Sequence, residues 1–339
     1  MKILITGSAG FIGYHTAKKF INSKTYKVFG IDSLNSYYDK NLKINRISSL
    51  YKLNKNKNFF FKQLNLCKYK DLEKFFKRNK IDIVVNLAAQ AGVRYSLINP
   101  KSYFKNNLEG FFNLLELSNK YKIKHLISAS TSSVYGASNS LPFKTTSAAD
   151  HPIQFYAATK RSNEIMAHSY SAIHKLPITI LRFFTVYGPW GRPDMSLFMF
   201  VKNILTGKYI NVFNQGKHSR DFTYVDDIVD GIFKVVKKIP RKKNRWSYKN
   251  PDLSSSDCPF KILNLGNQKK VSLMKFINAI EKNLGIKAKI KFLNLQKGDV
   301  KETLADISDT KKYINYKPKT SLNVGVKKFI NWYRGYYKK

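Results

Sequence analysis

The sequence predicts an α/β fold: a doubly wound parallel sheet of the Rossmann kind, with a smaller substrate lobe interleaved towards the C-terminus. Three observations carry this expectation. Short apolar β-runs alternate with helical patterns through the first ninety residues. The first run feeds directly into a glycine-rich turn that opens a helix. After Gly188 the alternation becomes irregular. The chain has 339 residues, of which 43% are hydrophobic and 14% aromatic, so it can bury a full core and is no disordered chain.

Taken in order, Lys2–Thr6 is an apolar strand and Phe11–Asn22 has helical periodicity. Lys27–Ile31 is a second strand running into Asp32. Phe59–Gln63 reads as a third strand, Lys70–Asn79 as a helix and Asp82–Leu87 as a fourth strand. Further strands are expected at His125–Ser128 and Ile178–Phe183, with long helices between them. Repeated βαβ units with right-handed crossovers give a parallel sheet covered on both faces. Residues 1–188 then form the cofactor-binding domain, with returning segments near 221–240 and 260–267. Residues 189–339 are mainly the lobe. The turn-rich run Pro189–Asp194 marks the junction, Ile262–Gly266 a strand returning to the main sheet, and the polar run Arg241–Cys258 an exposed insertion.

The 61 Lys and Arg exceed the 21 Asp and Glu by 40. Nucleic acid is nevertheless not expected as a partner, because the lysines are spread over the whole chain and no nucleic-acid motif accompanies them. A positive field of this kind raises the on-rate of a small polyanion. Two distant cysteines, Cys67 and Cys258, supply neither a disulfide scaffold nor a zinc site; no metal is expected, and a reducing cytosol suits them. No apolar run has the length of a membrane span, and the N-terminus enters a strand at once, so neither a membrane nor a leader is expected.

The chemistry concentrates at three places. Gly7, Gly10 and Gly13, with Phe11 and Ile12, form a Gly-x-x-Gly-x-x-Gly turn between a strand and a helix N-terminus. Glycines let the backbone approach a pyrophosphate, and the helix end supplies N–H donors. An ordinary βα turn has the same appearance. Asp32, ending the second strand, adds context: an acid there accepts the ribose hydroxyls of NAD and repels the 2′-phosphate of NADP. The second place is Tyr156-x-x-x-Lys160, which on a helix puts phenol and ammonium on one face. A neighbouring cation favours the phenolate, a general base; a surface tyrosine lying on a lysine stem is the alternative. The third is Thr131, Ser132 and Ser133, hydroxyls at the carboxyl end of a strand, where parallel sheets bind ligands and where turns are also capped.

Together with the run Ser130-Thr-Ser-Ser-Val-Tyr-Gly136, these motifs make the chain resemble the extended short-chain dehydrogenase/reductases, in particular the NAD-dependent nucleotide-sugar epimerases. Three longer segments resemble the UDP-glucuronate 4-epimerases: Asn86–Ser96, Leu181–Met195 and Arg220–Asp227. The resemblance covers nearly the whole chain.

That resemblance implies further roles. Asn35, Leu87, Ala88, Ala89 and Asn106 are expected at the cofactor, and Asn65 and Leu66 at its adenine, although the family usually has Asp at the position of Asn65. Thr185 and Val186 would lie beside nicotinamide and sugar. Arg94, Arg192 and Arg220 would meet the substrate, Val212 and Phe213 the uracil, and Asp299 the uridine ribose. Tyr156 would take the C4 hydroxyl proton of a UDP-sugar while NAD accepts the hydride. Dehydratase relatives place Asp and Glu at the positions of Ser132 and Ser133, and decarboxylating relatives place Glu at that of Ser133. With serine at both, the expectation is 4-epimerisation of UDP-glucuronate to UDP-galacturonate through a 4-keto intermediate. A neutral UDP-hexose, another acidic nucleotide sugar, or a non-catalytic NAD-binding role are the alternatives. The resemblance also implies a homodimer paired through helices near Asn106–Tyr121 and Tyr156–His174.

Overall fold

The computed structural model describes residues 1–244 and 246–338. Strand β1 (Lys2–Thr6) leads into α1 (Phe11–Asn22), followed by β2 (Lys27–Asp32), α2 (Lys40–Leu53), β3 (Phe59–Gln63), α3 (Tyr69–Asn79) and β4 (Ile83–Asn86). Two single turns, α4 (Tyr95–Ile98) and α5 (Pro100–Tyr103), run through a π-helical stretch (Phe104–Glu109) into α6 (Gly110–Lys120). Then come β5 (His125–Thr131), α7 (Phe155–His174) and β6 (Ile178–Phe183). The later elements are β7 (Thr185–Tyr187), α8 (Ser196–Leu205), β8 (Ile210–Phe213), β9 (Ser219–Tyr224), α9 (Val225–Val236) and β10 (Phe260–Leu265). The chain ends through β11 (Lys270–Ser272), α10 (Leu273–Leu284), β12 (Ile290–Leu293), α11 (Ser308–Ile314) and α12 (Leu322–Tyr337).

Seven strands form one sheet in the order β10-β6-β5-β4-β1-β2-β3, every pair parallel. This is the expected doubly wound sheet. Its strands are buried on both faces, which is why β4 (Ile-Val-Val-Asn) and β6 (Ile-Thr-Ile-Leu-Arg-Phe) read as nearly unbroken apolar runs. Successive residues of β1 serve opposite layers. Ile3 and Ile5 pack with Phe11, Phe20, Ile228 and Ile232 of α1 and α9. Leu4 packs with Leu72, Phe76, Leu114 and Ala167 of α3, α6 and α7.

Strand order reverses between β1 and β4, so the loops leaving their carboxyl ends part and open a crevice. A three-stranded sheet (β11-β9-β7) faces the crevice with Thr185, Val186 and Arg220, and a two-stranded one (β12-β8) contributes no residue to its lining.

Two expectations need adjustment. The strand expected to end at Ser128 continues to Thr131, because Ser130 and Thr131 stay in register with Arg182 and Phe183 of β6. The insertion at 241–258 is not exposed throughout: Ser254, Ser256 and Cys258 are buried. Beyond β6, the sheet ends at β10, whose outer side would otherwise be bare. There the Ile262 N–H donates to the Ser254 carbonyl (2.7 Å), and Ser255 bridges Lys261, so this stretch straps the edge strand.

Candidate active site

The crevice is a cleft of about 780 Å3 at the carboxyl ends of β1, β2, β4, β5 and β6. Every expected site residue lines it except Val212 and Phe213. Val212 faces the core from β8. Phe213 lies under the Arg94 guanidinium, 4.7 Å from its ring centroid.

On the cofactor side the backbone dictates the glycines. Gly7 adopts φ +68°, and a side chain there would lie 2.8 Å from the Ala88 nitrogen, across the strand-order reversal. A Cβ on Gly13 would fall 2.0 Å from the Gly7 carbonyl oxygen. The loop is therefore a cradle open to a phosphate and closed to side chains. Asp32 closes it from β2, its carboxylate accepting the Ala9 N–H (3.1 Å) and the Leu34 N–H (2.9 Å). Burial pushes its carboxyl up, against those two N–H groups and the nearby Lys43 charge. Lys43 donates to both the backbone and the side-chain oxygen of Asn35, fixing that residue on the same rim. Buried Arg46, unmarked in the sequence, donates to the Ala9 carbonyl (2.8 Å) and the Trp190 carbonyl (2.5 Å), joining the cradle to the Pro189–Asp194 junction. Asn106 sits in the π-helical stretch, its amide donating to the Ser102 carbonyl.

The reaction end is built on β5 and α7. The Thr131 hydroxyl accepts the Ser133 N–H (3.2 Å) and lies with Ser132 and Ser133 along the cleft. Burial pushes the Tyr156 phenol up, opposed by the Arg192 charge and by the Thr131 hydroxyl. Lys160 is 2% exposed and hydrogen-bonds no other described residue. Burial brings its ammonium down to about 8, with Glu164 one turn further along α7 acting in the opposite direction. A buried ammonium with its donors turned to the cleft, beside a phosphate cradle and a ribose acid, fits a dinucleotide. Arg192 is held by Asp194, Nε to Oδ1 at 3.0 Å and Nη2 to Oδ2 at 2.5 Å, and Tyr37 donates to the same carboxylate at 3.1 Å. At the far end Arg94 meets Asp299 (3.2 Å), and Arg220 donates to the Lys301 carbonyl (2.9 Å). Among the described residues no group of side chains could hold a metal ion, and no helix is long and apolar enough to cross a membrane.

The comparisons with known proteins agree with this geometry. Residues 3–248 match the model of the NAD dependent epimerase/dehydratase family. The chain belongs to that family.

Within the family it is 52% identical to Protein CapI of Staphylococcus aureus, over the whole of both chains. It is 43% identical to the probable UDP-glucuronate 4-epimerase of Rhizobium meliloti, over all of this chain and 98% of the relative. The crystal structure of the Bacillus cereus UDP-glucuronic acid 4-epimerase with UDP-glucuronic acid and NAD superposes with a TM-score of 0.85 at 34% identity. That match covers 99% of this chain and 100% of the other. An NAD-dependent epimerase fits what the cleft presents: a dinucleotide cradle and a Tyr–Lys pair under a row of hydroxyls.

Two charged neighbours, Glu164 and Arg182, escaped the sequence reading, and Ser130 entered it only within its run. Glu164, Arg182 and Ser130 form a buried cluster behind Lys160. Two signals for it exist in the sequence. Glu164 follows Lys160 at helical spacing, and Arg182 is a charge inside an otherwise apolar strand. The Tyr37–Asp194 contact joins residues 157 positions apart and has no local signal.

Proposed function

We propose that the chain interconverts UDP-glucuronate and UDP-galacturonate by NAD-dependent 4-epimerisation. The observation that carries this reading is the sugar end of the cleft. Arg192 stands close enough to act electrostatically on Tyr156, and the neighbouring Thr131, Ser132 and Ser133 include no acid. Asp194 occupies the Nε–Nη2 edge of the guanidinium and leaves Nη1 for a second carboxylate. Relatives named probable UDP-glucuronate 4-epimerase and UDP-glucuronate 4-epimerase 2, each matched over all of this chain, support the same reading.

Gly7, Gly10, Gly13, Asp32 and Lys160 would hold NAD, which supplies a reversible hydride acceptor for C4. Tyr156 takes the proton from O4, stabilised as phenolate by the Lys160 ammonium, with Thr131 sharing the hydrogen bond. After the sugar turns, C4 regains its hydride on the opposite face and Tyr156 returns the proton to O4. The 4-keto uronate is a β-keto acid, which loses CO2 when its C5–C6 bond stands perpendicular to the ketone plane. Arg192 and the three hydroxyls hold the carboxylate away from that geometry. Arg94, Arg220 and Asp299 would bind the nucleotide half.

The experiment is incubation with UDP-glucuronate or UDP-glucose, with NMR of the products. A site built to pair a charge leaves its donors unsatisfied with the neutral sugar, so kcat/KM should favour the uronate at least ~10²-fold, about 2.7 kcal/mol. Comparable efficiency on UDP-glucose overturns the uronic-acid reading.

The same proposal includes a homodimer working in a reducing cytosol, to which free Cys67 and Cys258 are suited. Its support is an exposed apolar face on neighbouring elements: Phe104 in the π-helical stretch, Phe112 on α6, and Ile165 and Ile173 on α7. Light scattering behind size exclusion should give twice the chain mass; a monomer overturns this part.

A further inference from the structure

Beside Tyr156 and Lys160 lies a charged cluster whose Glu164, Arg182 and Arg161 are outside the cleft lining and whose Ser130 reaches it. Glu164 on α7 is 1% exposed and its two oxygens accept four hydrogen bonds. Oε1 takes the Ser130 hydroxyl of β5 (2.6 Å) and Nε of Arg182 of β6 (3.0 Å). Oε2 takes Nη2 of Arg182 (2.7 Å) and Nη1 of Arg161 (3.0 Å). Arg182 is 1% exposed, with its guanidinium over the Tyr135 ring at 4.7 Å. A carboxylate this buried is dear to desolvate, and its bidentate Arg partner alone offsets much of that. The cluster ties α7 to β5 and β6 at the level of Thr131 and Lys160.

Glu164 also lies one helical turn from Lys160, on the same face of α7. We propose that Glu164 is a positioning residue for the reaction: its carboxylate keeps the buried Lys160 charged and sets α7 against the hydroxyl-bearing end of β5. The inference deepens the proposed reaction and rests on the roles given there to Tyr156 and Lys160. The groups around Lys160 agree with it. Tyr156, Arg161 and Glu164 lie on its own helix; β5 contributes the hydroxyls of Ser130 and Thr131; β6 contributes Arg182, held by Glu164; Tyr103 of α5 packs edge-on against Tyr156, with ring centroids 6.0 Å apart; and Arg192, paired with Asp194, acts on Tyr156. Of the carboxylates among these, Glu164 is the one that acts on Lys160. Burial disfavours the charged ammonium, and Glu164 opposes that.

The test is the pH dependence of kcat for UDP-glucuronate in the full-length protein with NAD, measured on wild type and two variants. Glu164→Gln keeps the shape and removes the charge, so the alkaline limb of the profile should move to lower pH by about one unit, with KM little changed. Arg161→Leu removes a cation that Glu164 partly neutralises, so the limb should move to higher pH. The Arg161 side chain is 24% exposed. Should Glu164→Gln fail to fold, the Arg161→Leu limb alone decides. Opposite displacements support the inference. A limb that stays in place, or moves the same way in both variants, overturns it and leaves Glu164 a structural residue. A wild type without turnover of UDP-glucuronate overturns the proposed reaction, and this inference with it.

Discussion

Tyr156 stands where a phenol is hard to ionise: burial raises it, and only Arg192 and the Thr131 hydroxyl work the other way. In the proposed reaction the phenolate also draws on the charge of Lys160, buried one turn away. Tyr156→Phe should keep the fold and the cofactor while slowing turnover ~10²–10⁴-fold. The check is a rate assay beside the ultraviolet spectrum of the purified protein. Near-normal turnover would move the base elsewhere. Lys160→Ala should lose both rate and cofactor. These two residues were legible in the sequence because a helical spacing of four brings their heads together without any knowledge of tertiary structure. Glu164 was less so, because its importance lies in β5 and β6, which the chain visits before and after α7. Val212 was misplaced for a related reason. Alternation along β8 turns Phe213 towards Arg94 and Val212 into the core, and the register was not visible beforehand.

At the scale of elements, the parallel strands were readable to within a few residues because both faces of the sheet are buried, which makes each strand a short apolar run. Helix α2 was not read at all. Its sequence is polar, and its burial is limited to Leu42, Lys43, Arg46, Ile47 and Leu50, two of them charged. Those two charges are what α2 contributes. Arg46 reaches the carbonyls of Ala9, Trp190 and Gly191 and the Tyr38 hydroxyl. Arg46→Met would leave these buried acceptors without a donor, at a cost of about 3 kcal/mol or more. Chemical denaturation should show that loss, and equilibrium titration a weaker hold on NAD, because the Gly7–Gly13 turn would lose its tie to the junction. Unchanged stability would mean that water replaces the guanidinium.

Across the whole molecule, two buried histidines couple stability to pH. His15 donates to the Pro189 carbonyl (2.8 Å), and His125 meets the Thr179 hydroxyl (2.9 Å). Burial holds both well below the usual value of 6.5, each at about 3. The unfolded chain therefore binds more protons than the folded one between pH 6.5 and about 3. Stability is complete above 6.5 and falls through that window, each histidine adding a slope of up to about 1.4 kcal/mol per pH unit. The net charge of +40 pushes in the same direction as carboxylates protonate. His15→Gln with His125→Gln should flatten the curve of thermal midpoint between pH 7 and 4.5. Curves parallel to wild type would refute the assignment. The place of β10 has a consequence for synthesis on the ribosome. Strand β6 exposes an unpaired edge until its partner, made from residues 260–265, emerges. At 5–20 residues per second the interval from Phe183 to Phe260 lasts roughly 4–15 s. The aromatic lid that α12 lays over Trp190 and Phe198 arrives later still. The nascent chain thus carries a sticky strand until residues 260–265 emerge and bare aromatic surface until residues 322–337 do, a window in which a chaperone or a lower temperature should raise the yield of folded protein.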